Sequence, residues 1–303
     1  LLLALDPSVE TALGNSIWTS DRLPPLLPEF TAAARAFFDA EARALDFSDP
    51  RAVDDINTWV ADVTGGRIDR LLEAIPPDAI MYLINAVYFN ADWRARFDPS
   101  ETRSADFFRE DGSTTSVQMM SGPVGHRTLS SATATGVELP YGGGAFTAVA
   151  LLPPAGQGID EFVATIDALT WKAWMEAFDA ASAREDLERA GLTVLLPRLE
   201  LRWKGGLGPP LRALGMVDAF DEREADLSRL FGERGPFISR VLQNSFVRVD
   251  EAGTEAAAGT GVEVGDTSAP QVFAFDRPFL FAIRERLSGT ILFLGVIGDP
   301  SAS

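Results

Sequence analysis

The run AIMYLINAVYFNADW, from Ala79 to Trp93, is apolar at nearly every position and rich in β-branched and aromatic residues. A strand with one wet face alternates; this one reads as a strand buried on both faces. Covering it takes a sizeable core, and 303 residues with 46% hydrophobic content can supply one. That length allows one large domain or two ordinary ones.

The rest of the chain frames this strand. PLLPEFTAAARAFFDAEARALDF (Pro25 to Phe47) has helical spacing, with Phe30, Ala34, Phe37 and Phe38 on one face. Asp49 to Leu72 predicts a second amphipathic helix, striped by Ile56, Trp59, Val60 and Val63 and ended by Gly65-Gly66. VELPYGGGAFTAVALLPP reads as a hairpin with a Gly-rich turn, GIDEFVATIDALTWKAWMEAF as helix and LTVLLPRLELRW as strand. Pro209-Pro210 suit a helix start. SRVLQNSFVRVDE alternates like a strand, and two apolar strands split by a Ser-Gly turn close the chain. Helices, then mixed elements, then a β-rich end predict an α+β fold.

Composition removes several functions. The net charge is −18, from 44 acidic and 26 basic residues. Phosphate contacts need Lys and Arg patches, so no nucleic acid, anionic membrane or heparin-type polyanion is expected as partner. With no Cys there is no disulfide, no thiol nucleophile and no Cys-ligated zinc. The one His, His126, lies in a Gly- and Pro-flanked turn, so no site needing two imidazoles exists, and any Ser-His-Asp triad would have to use it. The run Ile291 to Ile297 is too short to span a bilayer. DEREAD reads as a solvated face and GGLGPP as a turn, and no spacing singles out a carboxylate pair among the acids. No metal and no cofactor is expected, and no enzyme emerges.

EAGTEAAAGTGVEV, Glu251 to Val264, contains no large side chain. In strand alternation one face carries Thr254, Ala256, Ala258, Thr260, Val262 and Val264, all uncharged. The other carries Glu255, Ala257, Gly259, Gly261, Glu263 and Gly265, with all the charge. Yet Ala and Gly are poor strand residues. The segment is compatible with an exposed loop and with a central strand; a plain linker is the third reading.

VDEAGTEAAAGT resembles the hinge of the serpins, a family of serine-protease inhibitors with some non-inhibitory members. LINAVYFNADWRARFDPSETRSADFF, SVQMM, VELPYGGGAFTAVALLP, LPRLEL, LRALGMVDAFDEREADLSRL and FAFDRPFLFAIRERLSGTILFLGVIGDP each resemble a family segment, in the family's order along essentially the whole chain. The resemblance implies a single serpin domain over 1–303. It would hold a large central mixed sheet, further sheets, surrounding helices and an exposed reactive loop at about 251–273. Serpins begin with several helices before the strand that LGNSIWTSDRL resembles, so the chain is expected to be N-terminally incomplete. Asn85 and Gln243 are then expected to lack hydroxyl partners from one of those helices.

The implied mechanism is that of a suicide substrate. A protease attacks the loop and becomes acylated; the hinge then inserts into the central sheet, a known instance of strand addition. The dragged protease loses its oxyanion hole and cannot deacylate. Family spacing puts the cut at Thr267-Ser268, sixteen residues after Glu251, and counting back from Pro278 gives the same bond; a shift of one would put Asp266 before the cut. The implied hinge comprises Glu251, Gly253, Thr254, Glu255, Ala256, Ala257, Ala258, Gly259 and Thr260. A charge at Thr254 would stall insertion. Between Val249 and Asp276 there is no Lys or Arg, and no aromatic residue precedes Phe273. The expected partner is therefore a serine protease with a small apolar pocket, elastase-like or subtilisin-like, and the chain is expected to be a monomer.

Asn85 matches the polar residue beneath the opening sheet, and Gln243 stands where the family usually has His. Trp93 matches the packing residue where the loop enters, and Glu251 with Arg198 an ion pair there. Ordinary packing would account for each without the resemblance. An extracellular setting is expected, with a cytoplasmic one left open. A non-inhibitory carrier or chaperone is the alternative, as is a truncated serpin that protease merely cleaves.

Overall fold

The computed structural model describes residues 6–122, 127–182, 193–254 and 272–301. Its elements run β1 (Val9–Ser20), α1 (Pro28–Phe38), β2 (Ala40–Leu45), α2 (Arg51–Val63), β3 (Met81–Asp92), β4 (Arg103–Phe108), β5 (Thr114–Gly122), β6 (Arg127–Ser130), β7 (Thr135–Pro140), β8 (Phe146–Leu152), α3 (Ile159–Ala164) and α4 (Ala168–Ser182). Then follow β9 (Thr193–Pro197), β10 (Leu199–Gly206), α5 (Gly208–Ala213), α6 (Ser228–Phe231), β11 (Arg240–Val249), β12 (Gly253–Thr254), β13 (Val272–Ala274), β14 (Phe279–Glu285) and β15 (Ile291–Ile297). They form three sheets: β10-β11-β3-β1-β2 with β12 also pairing β3, β13-β9-β5-β4, and β15-β14-β8-β7-β6. The fold is α+β.

The chain divides into two compact units. In Thr11–Phe89 with Leu201–Phe246, β3 is apolar on both faces because each face feeds a different core. Tyr82, Ile84, Ala86 and Tyr88 join Trp18, Ile56 and Val60. Met81 and Leu83 join Phe220, Phe231 and Ile238. Ile56 and Val60, one helical turn apart on α2, are fully buried. Asn57 on the same helix accepts from Leu71 and Leu72 N–H and donates to Leu72 O, so its buried amide is satisfied.

The other unit is Leu1–Glu10, Asn90–Glu200 and Val247–Ser303. Val149, Leu151, Phe162, Trp174, Phe178 and Leu280 build its core. Buried Glu138 is matched by Arg284 at 2.6 Å, the pairing a desolvated carboxylate needs.

Several sequence-based boundaries are corrected. The helix expected over Pro25–Phe47 ends at Phe38, because Asp39 adopts a left-handed conformation (φ 48°). Residues 40–45 then pair in parallel with β1. Of the face expected to be buried, only Ala34 is; Phe37 and Phe38 are exposed. The helix expected after Gly158 is two, since the Asp167 carboxylate accepts from Thr170 N–H at 2.7 Å and starts a new one. LTVLLPRLELRW breaks at Arg198 into β9 and β10, which belong to different sheets. The helix expected over Asp49–Leu72 stops at Val63.

Candidate functional site: the start of the hinge

The chain leaves β11 at Val249 and turns tightly, Asp250 N–H donating to Gly253 O at 2.8 Å. Gly253 and Thr254 then pair antiparallel with Asp92 and Ala91 of β3. Gly253 has φ +153°, and a Cβ there would meet Ala91 O at 2.1 Å and Trp93 N at 2.6 Å. Only glycine fits.

Three groups hold this turn. Glu251 is buried, and its carboxylate receives Arg198 Nε at 2.8 and 3.0 Å, Arg198 Nη2 at 2.7 Å and the Thr102 hydroxyl. Burial alone would raise its pKa, but the Arg198 and Thr102 donors hold it below the ordinary glutamate range. Trp93 donates its backbone N–H to Ala252 O at 2.8 Å and its indole N–H to Asp250 O at 2.9 Å. The indole stacks on Tyr141, centroids 4.4 Å apart and planes 10° from parallel. A cleft of about 410 Å³ opens beside Arg198 and Glu251, lined also by Gln118, Glu200, Arg248 and Pro300. Among the described residues, no cluster of His, Asp and Glu is set to hold a metal.

Replacing Arg198 by Ala is expected to cost about 1–2 kcal/mol at pH 7, because it strands a buried carboxylate while the lost guanidinium was half-exposed. Since the Glu251 pKa is lowered on folding, this contribution is complete above the ordinary glutamate range and disappears as pH falls through the lowered value. Urea titrations of both proteins at pH 7 and pH 3 measure this: the gap should narrow in acid. A gap as wide at pH 3 as at pH 7 refutes the ion-pair account.

Lower on β3, Asn85 stands opposite Gln243 of β11. The expectation that both lack partners is corrected. Asn85 Nδ2 donates to Asn15 Oδ1 at 3.0 Å and Gly14 O at 3.4 Å. Gln243 Nε2 donates to Ser245 Oγ at 3.4 Å. Strand β1 supplies the partners of Asn85, and a hydroxyl of β11 itself the partner of Gln243.

The structure thus brings Arg198, Glu251, Trp93, Gly253 and the backbone of Thr254 together, with Asn85 and Gln243 paired in register farther down β3. Glu255, Ala256, Ala257, Ala258, Gly259, Thr260, Asp266, Thr267, Ser268 and His126 lie outside the described residues. At its far end the segment is anchored by β13, parallel to β9, with Phe273 buried. Sequence reasoning missed Thr102, Asp250 and Tyr141. Thr102 lies 149 positions from Glu251, and no local pattern marks it.

A sequence profile described as serpin (serine protease inhibitor) matches residues 2–300. The leukocyte elastase inhibitor of Bos taurus is 35% identical over 286 residues, covering 90% of this chain and 74% of that protein. The native state of the thermophilic serpin tengpin superposes with a TM-score of 0.86 at 28% identity, over 98% of this chain and 75% of that one. Thyroxine-binding globulin complexed with thyroxine gives 0.84 at 27% identity, over 99% and 78%.

Proposed function

The chain belongs to the serpin family, and from that premise we propose that it inhibits a serine protease by inserting its own cleaved loop into the sheet around β3. The observation that carries the reading is the pairing along β3. Strand β11 pairs with it in parallel from Tyr82 to Tyr88. At Ala91 and Asp92 the pairing passes to β12, the hinge residues Thr254 and Gly253. The hinge backbone therefore already holds the opening rungs of an added antiparallel strand. Continued in register, Ala256 would stand opposite Phe89, Ala258 opposite Val87 and Thr260 opposite Asn85. Small or β-branched uncharged residues then fall on one face, where β11 must first let go.

The cut at Thr267-Ser268 and a small-pocket target, elastase-like or subtilisin-like, complete the proposal. The related bovine protein is itself named an elastase inhibitor. The test is to mix the chain with each protease and run a denaturing gel. A covalent band at the summed mass, with cleavage mapped at Thr267 or its neighbour, is the expected result. Loop cleavage without that band refutes trapping. It would favour a substrate or a non-inhibitory carrier, the reading that the likeness to thyroxine-binding globulin supports.

A further inference from the structure

We infer that Asp6, far from the hinge in sequence, is a positioning residue for it: its carboxylate pins the Gly142-Gly143 turn that holds Tyr141 against Trp93. The carboxylate is buried and accepts from Gly143 N–H at 2.7 Å, Ser8 N–H at 3.0 Å and Ser8 Oγ at 2.6 Å. Three charge-assisted hydrogen bonds on one carboxylate tie Ser8 and Gly143, themselves exposed residues, to a single point. The glycines are required by this joint. Gly142 has φ +40°, and a Cβ there would lie 1.8 Å from Ser8 Oγ.

The turn is coupled to the hinge on two sides. Gly142 N–H donates to Asp92 O at 2.9 Å, and Arg94 N–H donates to Pro140 O at 2.9 Å. These two bonds bracket Trp93 and clamp its backbone to the turn. On the side-chain level Tyr141 covers the indole whose N–H holds Asp250 O. Asp6, Gly143, Tyr141, Trp93 and Asp250 therefore form one unbroken chain of contacts ending three residues before Gly253. Releasing Asp6 frees the turn, then the Tyr141 stack, then the carbonyl of Asp250.

The consequence for trapping rests on the function proposed above, but the positioning itself has an independent readout. Hydrogen exchange at the Trp93 indole N–H reports the joint. The Trp18 indole N–H, buried on Ser16 Oγ at 2.7 Å, is the internal reference. In Asp6→Ala the Trp93 proton is expected to exchange about tenfold faster, with Trp18 unchanged. Asp6→Asn keeps the volume but turns an NH₂ toward one donor, so an intermediate effect is expected and folding is safeguarded. The same variants should shift the ratio of cleaved to trapped chain toward cleaved. Unchanged Trp93 exchange, or equal acceleration at Trp18, overturns the proposal. Faster Trp93 exchange with an unaltered cleaved-to-trapped ratio refutes coupling to the hinge. If the unmutated chain traps no protease while Trp93 responds as expected, the inhibitor reading fails and the positioning role stands.

Discussion

Cutting the chain between Thr254 and Val272 is expected to raise its melting temperature by about 15 °C. Roughly 12 residues from Thr254 onward would add a strand, each gaining a ladder hydrogen bond worth about 0.5–1.5 kcal/mol net. The total is on the order of 10 kcal/mol. Unfolding entropy of roughly 2 cal/mol/K per residue converts that, over a chain of this length, into the stated shift. A gain of this size also means that the uncut chain is held back kinetically. What holds it is visible: seven register pairs, Arg240↔Tyr82 to Phe246↔Tyr88, close β11 onto β3, and all must part. Calorimetry before and after limited proteolysis measures the shift. A change of less than a few degrees would show that the cut loop stays outside the sheet, and the inhibitory reading would fall with it.

The second large effect is at Gly253. In Gly253→Ala the new Cβ would meet Ala91 O at 2.1 Å, Asp92 Cα at 2.6 Å and Trp93 N at 2.6 Å. All three are backbone atoms of β3 and its exit, so relief comes only by separating β12 from β3. The conformation at φ +153° adds strain of about 1–3 kcal/mol for any residue with a side chain. The expected result is loss of the two opening rungs, faster exchange of the Trp93 backbone N–H now bonded to Ala252 O, and a melting temperature lower by about 3–5 °C. Protease should then cleave the loop more often than it is trapped, by about tenfold or more, since the first step of insertion must be rebuilt. A Gly253→Ala protein that traps protease with unchanged yield would show that the β12 pairing does not start insertion.

Legibility in the sequence followed the range of the interaction. Strand β3 was readable because burial on both faces writes itself into consecutive residues. The stripe of α2 was readable because Ile56 and Val60 recur at helical spacing. The helix expected from Pro25 overran for the same reason: spacing continued past Phe38, and nothing local said that Asp39 would turn left-handed and release 40–45 to pair with β1. The pairing of Arg198 with Glu251 was readable only through the family resemblance, since 53 positions separate them. YGGG was readable as a turn, but not that Gly142 is glycine because Ser8 lies against it.

The sequence by itself determined the doubly buried strand, the α+β order of elements and the family. It also set the charge-free face of the hinge from Thr254 to Val264, and the absence of Cys chemistry and of any two-His site. These are properties of composition and short-range pattern, which neighbouring residues carry in full. Only the tertiary structure decided that Gly253 and Thr254 already sit on β3. It also decided that Asn85 bonds Asn15 rather than going unpartnered, and that Asp6 meets Gly143, Thr102 meets Glu251 and Tyr141 stacks on Trp93. Each of those depends on which sequence-distant group, backbone or side chain, is brought into contact. That choice is made when the sheets pack, after every local preference has been spent.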